Sequence, residues 1–153
     1  MLFNDEYYMN EALKEAKIAY SLGEMPVGAI IVDNLTHEII ARAHNEKELK
    51  RDATCHAEII AIKKASKIKQ NRRLNDTTLY VTLEPCIMCG SAILQSRIDR
   101  LVFSVHEFNT GSFGGKIDLS AIEKTSITVI NGVLKEESMK LLSSFFKIKR
   151  SDY

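Results

Sequence analysis

The sequence predicts an α/β layered domain, and three observations carry that expectation. Segments with helical periodicity alternate with short apolar runs in the order α-β-β-α-β-α-β-β-α. The runs are short enough to be strands of a buried sheet. Two clusters of metal-binding side chains each fall at a strand-to-helix or loop-to-helix junction, where open α/β sheets bind ligands. The 153 residues contain no repeat, low-complexity tract or linker, which suits one domain over residues 1–153 with a sizeable core.

From Asn4 to Leu22, apolar residues recur at helical spacing (Tyr8, Met9, Ala12, Leu13, Ala16, Ile18, Ala19, Leu22), with Asn4 or Asp5 as cap and Gly23 as stop. Val27 to Val32 reads as a buried strand. Asp33-Asn34 turns the chain, and Glu38 to Ala43 returns as a hairpin partner. Asn45 to Thr54 is a charged loop. His56 to Lys69 reads as a helix with Ile59, Ile60, Ile62 and Ala65 facing inward. Thr78 to Thr82 alternates as a strand, and Cys86 to about Ser96 is helical. Arg100 to Val105 and Ser126 to Asn131 are the last strands, and Lys135 to Lys149 is a closing helix. Between them, His106 to Lys116 contains three glycines and reads as a mobile loop.

The composition excludes several classes. Apolar residues make up 45% of the chain, ordinary for a soluble globule. No apolar run exceeds the six residues Val27–Val32, too short to span a membrane. Met1 to Asn10 carries two acids and no base, unlike a secretory signal. Three cysteines, two of them in C-x-x-C, do not form a disulfide framework, so a cytoplasmic, reducing setting is expected. Net charge is +1, with two local basic regions: Lys63–Arg73 and the tail Phe145-Phe146-Lys147-Ile148-Lys149-Arg150. On residues alone, these read as a solvated helix face and a packed last turn. The tail's mixture of bases and aromatics would also suit phosphate contact and base stacking.

The chemistry concentrates in two places. Cys86 and Cys89 stand three apart, about 300° round a helix, so their sulfurs share a face and can grip one ion. Pro85 suits the first helical position, where its missing N–H costs nothing. The positive end of that helix favours thiolates. Upstream, His56 offers a third ligand, and Glu58 stands two residues on. Three ligands, a nearby carboxylate and no evident fourth ligand describe an open, catalytic zinc site. A thioredoxin-like redox pair would leave His56 and Glu58 unused. A closed zinc knuckle needs a fourth ligand, and Cys55, His37, His44 and His106 lack the spacing.

The order His56-Ala57-Glu58, then 26 residues, then Pro85-Cys86-Ile87-Met88-Cys89 resembles the signature of zinc nucleobase deaminases. The resemblance extends nearly end to end. Met25-Pro26-Val27-Gly28-Ala29, Ala43-His44-Asn45, Asn71-Arg72-Arg73-Leu74, Thr78 to Cys86, and Phe145-Phe146-Lys147 are similar to the bacterial tRNA-specific adenosine deaminases, which make wobble inosine. The resemblance implies a three-layer α/β/α fold of cytidine-deaminase type with a five-stranded mixed sheet, commonly homodimeric. It implies one zinc ion per chain on His56, Cys86 and Cys89, and Glu58 as proton shuttle. Asn45, Ala57, Val27, Leu83, Glu107, Phe145, Phe146 and Lys147 would contact the substrate, the anticodon stem-loop of tRNA. The chain departs from the family pattern after the fourth strand. Where an Asp is usually followed two residues on by Lys, it has Glu107-Phe108-Asn109. A deaminase of free guanine or cytosine would share the metal and proton-transfer residues. The tail and the basic stretch favour tRNA.

Overall fold

The computed structural model describes residues 3–151, with side chains through Ile148. The side chains of Lys149 and Arg150, counted above in the basic tail, lie outside the described residues. Five strands form one sheet: β1 (Gly28–Asp33), β2 (Ile39–His44), β3 (Thr77–Val81), β4 (Arg100–Phe103) and β5 (Thr128–Ile130). Their order is β2-β1-β3-β4-β5. β1 runs antiparallel to both neighbours, whereas β3, β4 and β5 are mutually parallel. The sheet is therefore mixed and five-stranded, as the resemblance implies.

Strand alternation divides the core in two. Ala29, Ile31, Leu79, Val81, Leu101 and Phe103 point to one face, where α3 (Ala57–Lys69) and α4 (Ile87–Gln95) contribute Ala57, Ala61, Ala65 and Ile93. Ile30, Val32, Tyr80 and Val102 point to the other, against Met9 and Ala12 of α1 (Asp5–Ser21). The closing helix α6 (Lys135–Ser151) lies beside α1, making the third layer.

Small residues set how closely the layers approach. A Cβ on Gly28 would meet the Ala12 carbonyl oxygen at 2.0 Å, so the backbone of α1 rests on β1 at that point. Across the sheet, Ala57, Ala61 and Ala65 form the buried ridge of α3. Ala65 faces inward as expected, and Ile60 and Ile62 pack against this core while partly buried. Ile59 is also only partly buried, because alanines four apart bring the helix axis near the sheet and set the larger side chains on the flanks.

Two short helices escaped the sequence reading, α2 (Lys47–Lys50) and α5 (Leu119–Ile122). Each is a single turn, too short to show a period. The His106–Lys116 loop, expected to be mobile, is instead held by hydrogen bonds to a buried carboxylate, described below.

Candidate active site

The site is assembled where the N-termini of α3 and α4 meet beyond the sheet. His56 is the N-cap of α3 and Cys86 the N-cap of α4; both are extended. Pro85 therefore lies outside the helix rather than at its first position. The backbone there is drawn into a pairing with the following loop: Cys86 bridges Gly111, and the Ser112 hydroxyl lies within hydrogen-bond distance of the Pro85 and Cys86 carbonyls. One turn into α4, Cys89 is completely buried.

These placements bring three donor atoms together. His56 Nδ1 lies 3.7 Å from Cys86 Sγ and 3.5 Å from Cys89 Sγ. All three ligand atoms fall within 4.8 Å of one another, the only such group among the described residues. Tetrahedral zinc, with bonds of about 2.3 Å to sulfur and about 2.0–2.1 Å to nitrogen, places S and N about 3.6 Å apart. The observed distances bracket that value, so the donor set fits zinc. Cys55, His37, His44 and His106 stand outside the group.

The electrostatics agree with a cation site. The Cys86 thiol is pulled to about 4, first by its hydrogen bond from Cys89 and then by His56. His56 is raised by its bond to Cys86, and Cys89 is pushed up by hydrogen bonding to the Cys86 thiolate and by burial. The three groups share protons that a divalent cation would displace. Glu58, in the first turn of α3, is 4% exposed, and burial lifts its carboxyl to about 7. A carboxyl poised there can take and return a proton near neutrality.

A cleft of about 440 Å³ opens on this group, a volume suited to a small ligand. Val27, Asn45, Ala57, Leu83 and Glu107 all line it, together with His56, Glu58 and Cys86. Asn45 is 4% exposed; its Oδ1 accepts from Lys47 N at 3.1 Å, and its Nδ2 donates to the Met25 carbonyl at 3.4 Å. The tail residues do not line it. Phe145 sets its ring edge-on to Tyr20 of α1 and to Phe146, while Phe146 and Lys147 are exposed.

The family model of the cytidine and deoxycytidylate deaminase zinc-binding region matches residues 3–105. The tRNA-specific adenosine deaminase of Haemophilus influenzae is 46% identical over 97% of this chain and 86% of its own length. The chain belongs to the tRNA-specific adenosine deaminases. A solved structure from work on A-to-I editing by tRNA:A34 deaminases at the wobble position of transfer RNA superimposes on this deaminase with a TM-score of 0.81 and 34% identity. The match covers 89% of this chain and 99% of that one. The guanine deaminase of Nitrosomonas europaea superimposes with a TM-score of 0.83 over 95% of this chain and 86% of its own. At 22% identity, that is a likeness of fold alone.

Two buried glutamates that the sequence reading overlooked hold the walls of the deaminase cleft. Glu24, 1% exposed, accepts from the Glu48 and Leu49 amides at 3.0 and 2.8 Å, fixing α2 and with it Lys47, which lines the cleft. Glu84, 2% exposed, holds the opposite wall. Its Oε1 accepts from Glu107 N at 2.9 Å and lies 2.8 Å from His106 Nδ1. Its Oε2 accepts from Phe113 N at 2.8 Å and Gly115 N at 2.9 Å. A Cβ on Gly111 or Gly115 would come within 2.5 Å of the carboxylate, so the loop wraps it without room for side chains there. An acidic residue directly after Leu83, three positions beyond the end of β3, was the signal available in the sequence.

Glu84→Gln has a defined expected cost. Either orientation of the amide turns its NH₂ toward a backbone N–H that needs an acceptor. Leaving such a group unsatisfied costs about 1–3 kcal/mol. Urea unfolding should show that loss. An unchanged midpoint would remove Glu84 as the anchor of this loop.

Proposed function

We propose that this chain hydrolyses adenosine 34, the wobble nucleotide of a tRNA anticodon loop, to inosine and ammonia. The observation that carries the chemistry is one cleft holding His56, Cys86, the buried Glu58 and Asn45 together. The 46% identity with a tRNA-specific adenosine deaminase supports the substrate. His56, Cys86 and Cys89 hold one zinc ion, which supplies the Lewis acidity that makes water nucleophilic at neutral pH.

The protein's residues do the rest. Glu58 takes a proton from the attacking water and delivers it to N1 of adenine. It then carries the proton of the hydroxyl added at C6 to the amine, which leaves as ammonia, so that water's oxygen stays on C6 and its two hydrogens end on N1 and on ammonia. Asn45 and the Ala57 backbone orient the base, and Val27 and Leu83 enclose its faces. Glu107 stands at the rim where the nucleotide enters. An anticodon loop presents an unpaired base, so the cost of extruding it into the cleft is low. Phe145, Phe146 and Lys147, away from the cleft, hold the RNA at a second point through stacking and phosphate contact.

The setting we propose is a homodimer of one deaminase domain per chain in the cytoplasm. The family resemblance supports the dimer, and the three free cysteines suit a reducing compartment. No helix among the described residues is long and apolar enough to cross a membrane. Incubation with bulk unmodified tRNA, and separately with free guanine, cytosine and adenosine, tests the activity. Inosine in tRNA is expected. Turnover of a free base with none on tRNA would refute the proposal.

A further inference from the structure

The rim of the cleft carries an aromatic side chain that none of the chemistry above uses. Phe108 is 72% exposed, more than any other aromatic residue among those described. It sits between Glu107 and Thr110, both of which line the cleft. Its ring stacks on His106, with centroids 5.8 Å apart and planes 26° apart. His106 is itself fixed from behind. Its ring stands edge-on to Phe103, which is completely buried, at 5.1 Å, and its Nδ1 lies 2.8 Å from the buried Glu84 carboxylate.

A single exposed apolar residue on a surface needs no explanation. Phe108 differs because it ends a column of rings that begins in the core. One face is covered by an anchored imidazole, and most of the ring remains open to solvent. Such a pre-set ring loses little freedom when it binds. Aromatic faces of this kind are where unpaired bases stack, whatever their identity.

We propose that Phe108, backed by His106, is a stacking subsite for an unpaired base adjacent in sequence to the adenosine in the cleft. This rests on the proposed activity toward an anticodon loop. A polynucleotide that delivers one base into the cleft must carry its neighbours over the rim. Phe108 is the aromatic surface standing there, and it recognises a base by its face rather than by hydrogen bonds. The subsite therefore contributes grip with little sequence preference.

Steady-state deamination of an anticodon stem-loop by the complete protein tests the subsite. Phe108→Ala should raise KM about tenfold, the weight of one base–aromatic stack, with the loss in KM rather than in kcat. Phe108→Trp should restore it. Stem-loops made abasic at one or the other neighbour of the target adenosine supply the decisive comparison. At the neighbour that stacks, the wild type should lose the same factor, and Phe108→Ala should lose nothing further. An unchanged KM in Phe108→Ala would overturn the subsite. So would an equal added loss on both abasic RNAs. Absence of wild-type turnover on the intact stem-loop would instead overturn the activity on which the subsite rests, and that is read without any variant.

Discussion

Glu58→Ala is expected to reduce single-turnover inosine formation by at least about a thousandfold while zinc stays bound. The carboxyl is buried at the first turn of α3, two residues from His56, and lines the same cleft. It is not one of the three clustered donors, so its removal leaves the metal grip intact. A positioned acid–base group contributes about 10²–10⁴-fold, and Glu58 is asked to serve both the attacking water and the leaving ammonia. Glu58→Gln keeps the shape and should be nearly as inactive, which separates proton transfer from packing. Zinc analysis and rapid-quench kinetics on tRNA check both halves. A near-normal rate in either variant would remove Glu58 from the mechanism.

Cys86→Ala and Cys89→Ala should each lower zinc from close to one equivalent per chain to near none, with activity lost in parallel. Three protein ligands leave no redundancy, since no other described His, Cys or acidic side chain joins the group. The effect on stability is also large. A ligand present at about a thousand times its dissociation constant contributes about 4 kcal/mol to folding. For a chain of this size, that corresponds to a melting temperature on the order of 10 °C higher. Chelation of the wild-type protein should reproduce the drop. Neither cysteine variant should respond to chelator. Elemental analysis showing full zinc in both variants would displace the His56–Cys86–Cys89 assignment.

Much of the fold was legible because its signals are local. The period of the Met9–Ala19 stretch, the unbroken apolar run before Asp33 and the pairing of Cys86 with Cys89 depend on residues within a turn or a strand of one another. These observations determined the α/β alternation and the places where helices begin near ligand-bearing side chains. Long matching segments then implied the strand count and the mixed sheet, which periodicity alone does not encode.

Other features were decided only in three dimensions, because they join residues far apart in sequence. His56 comes within 3.5 Å of Cys89 because two helices, separated by β3, direct their N-termini at one point. The loop after β4 reads as mobile from its glycines. It is held because Glu84, more than twenty positions upstream, accepts from three of its backbone amides and meets His106. In that loop the glycines make room for a carboxylate rather than confer freedom. On α3 the fully buried ridge is alanine, with Ile60 and Ile62 packed on the core from beside it, since hydrophobicity says which stripe is apolar but not how near the sheet will stand. By itself, the sequence determined which residues can do the chemistry. The tertiary structure decided which of them meet, and which buried acids hold them there, because burial and partner distance belong to the packed chain and not to its order.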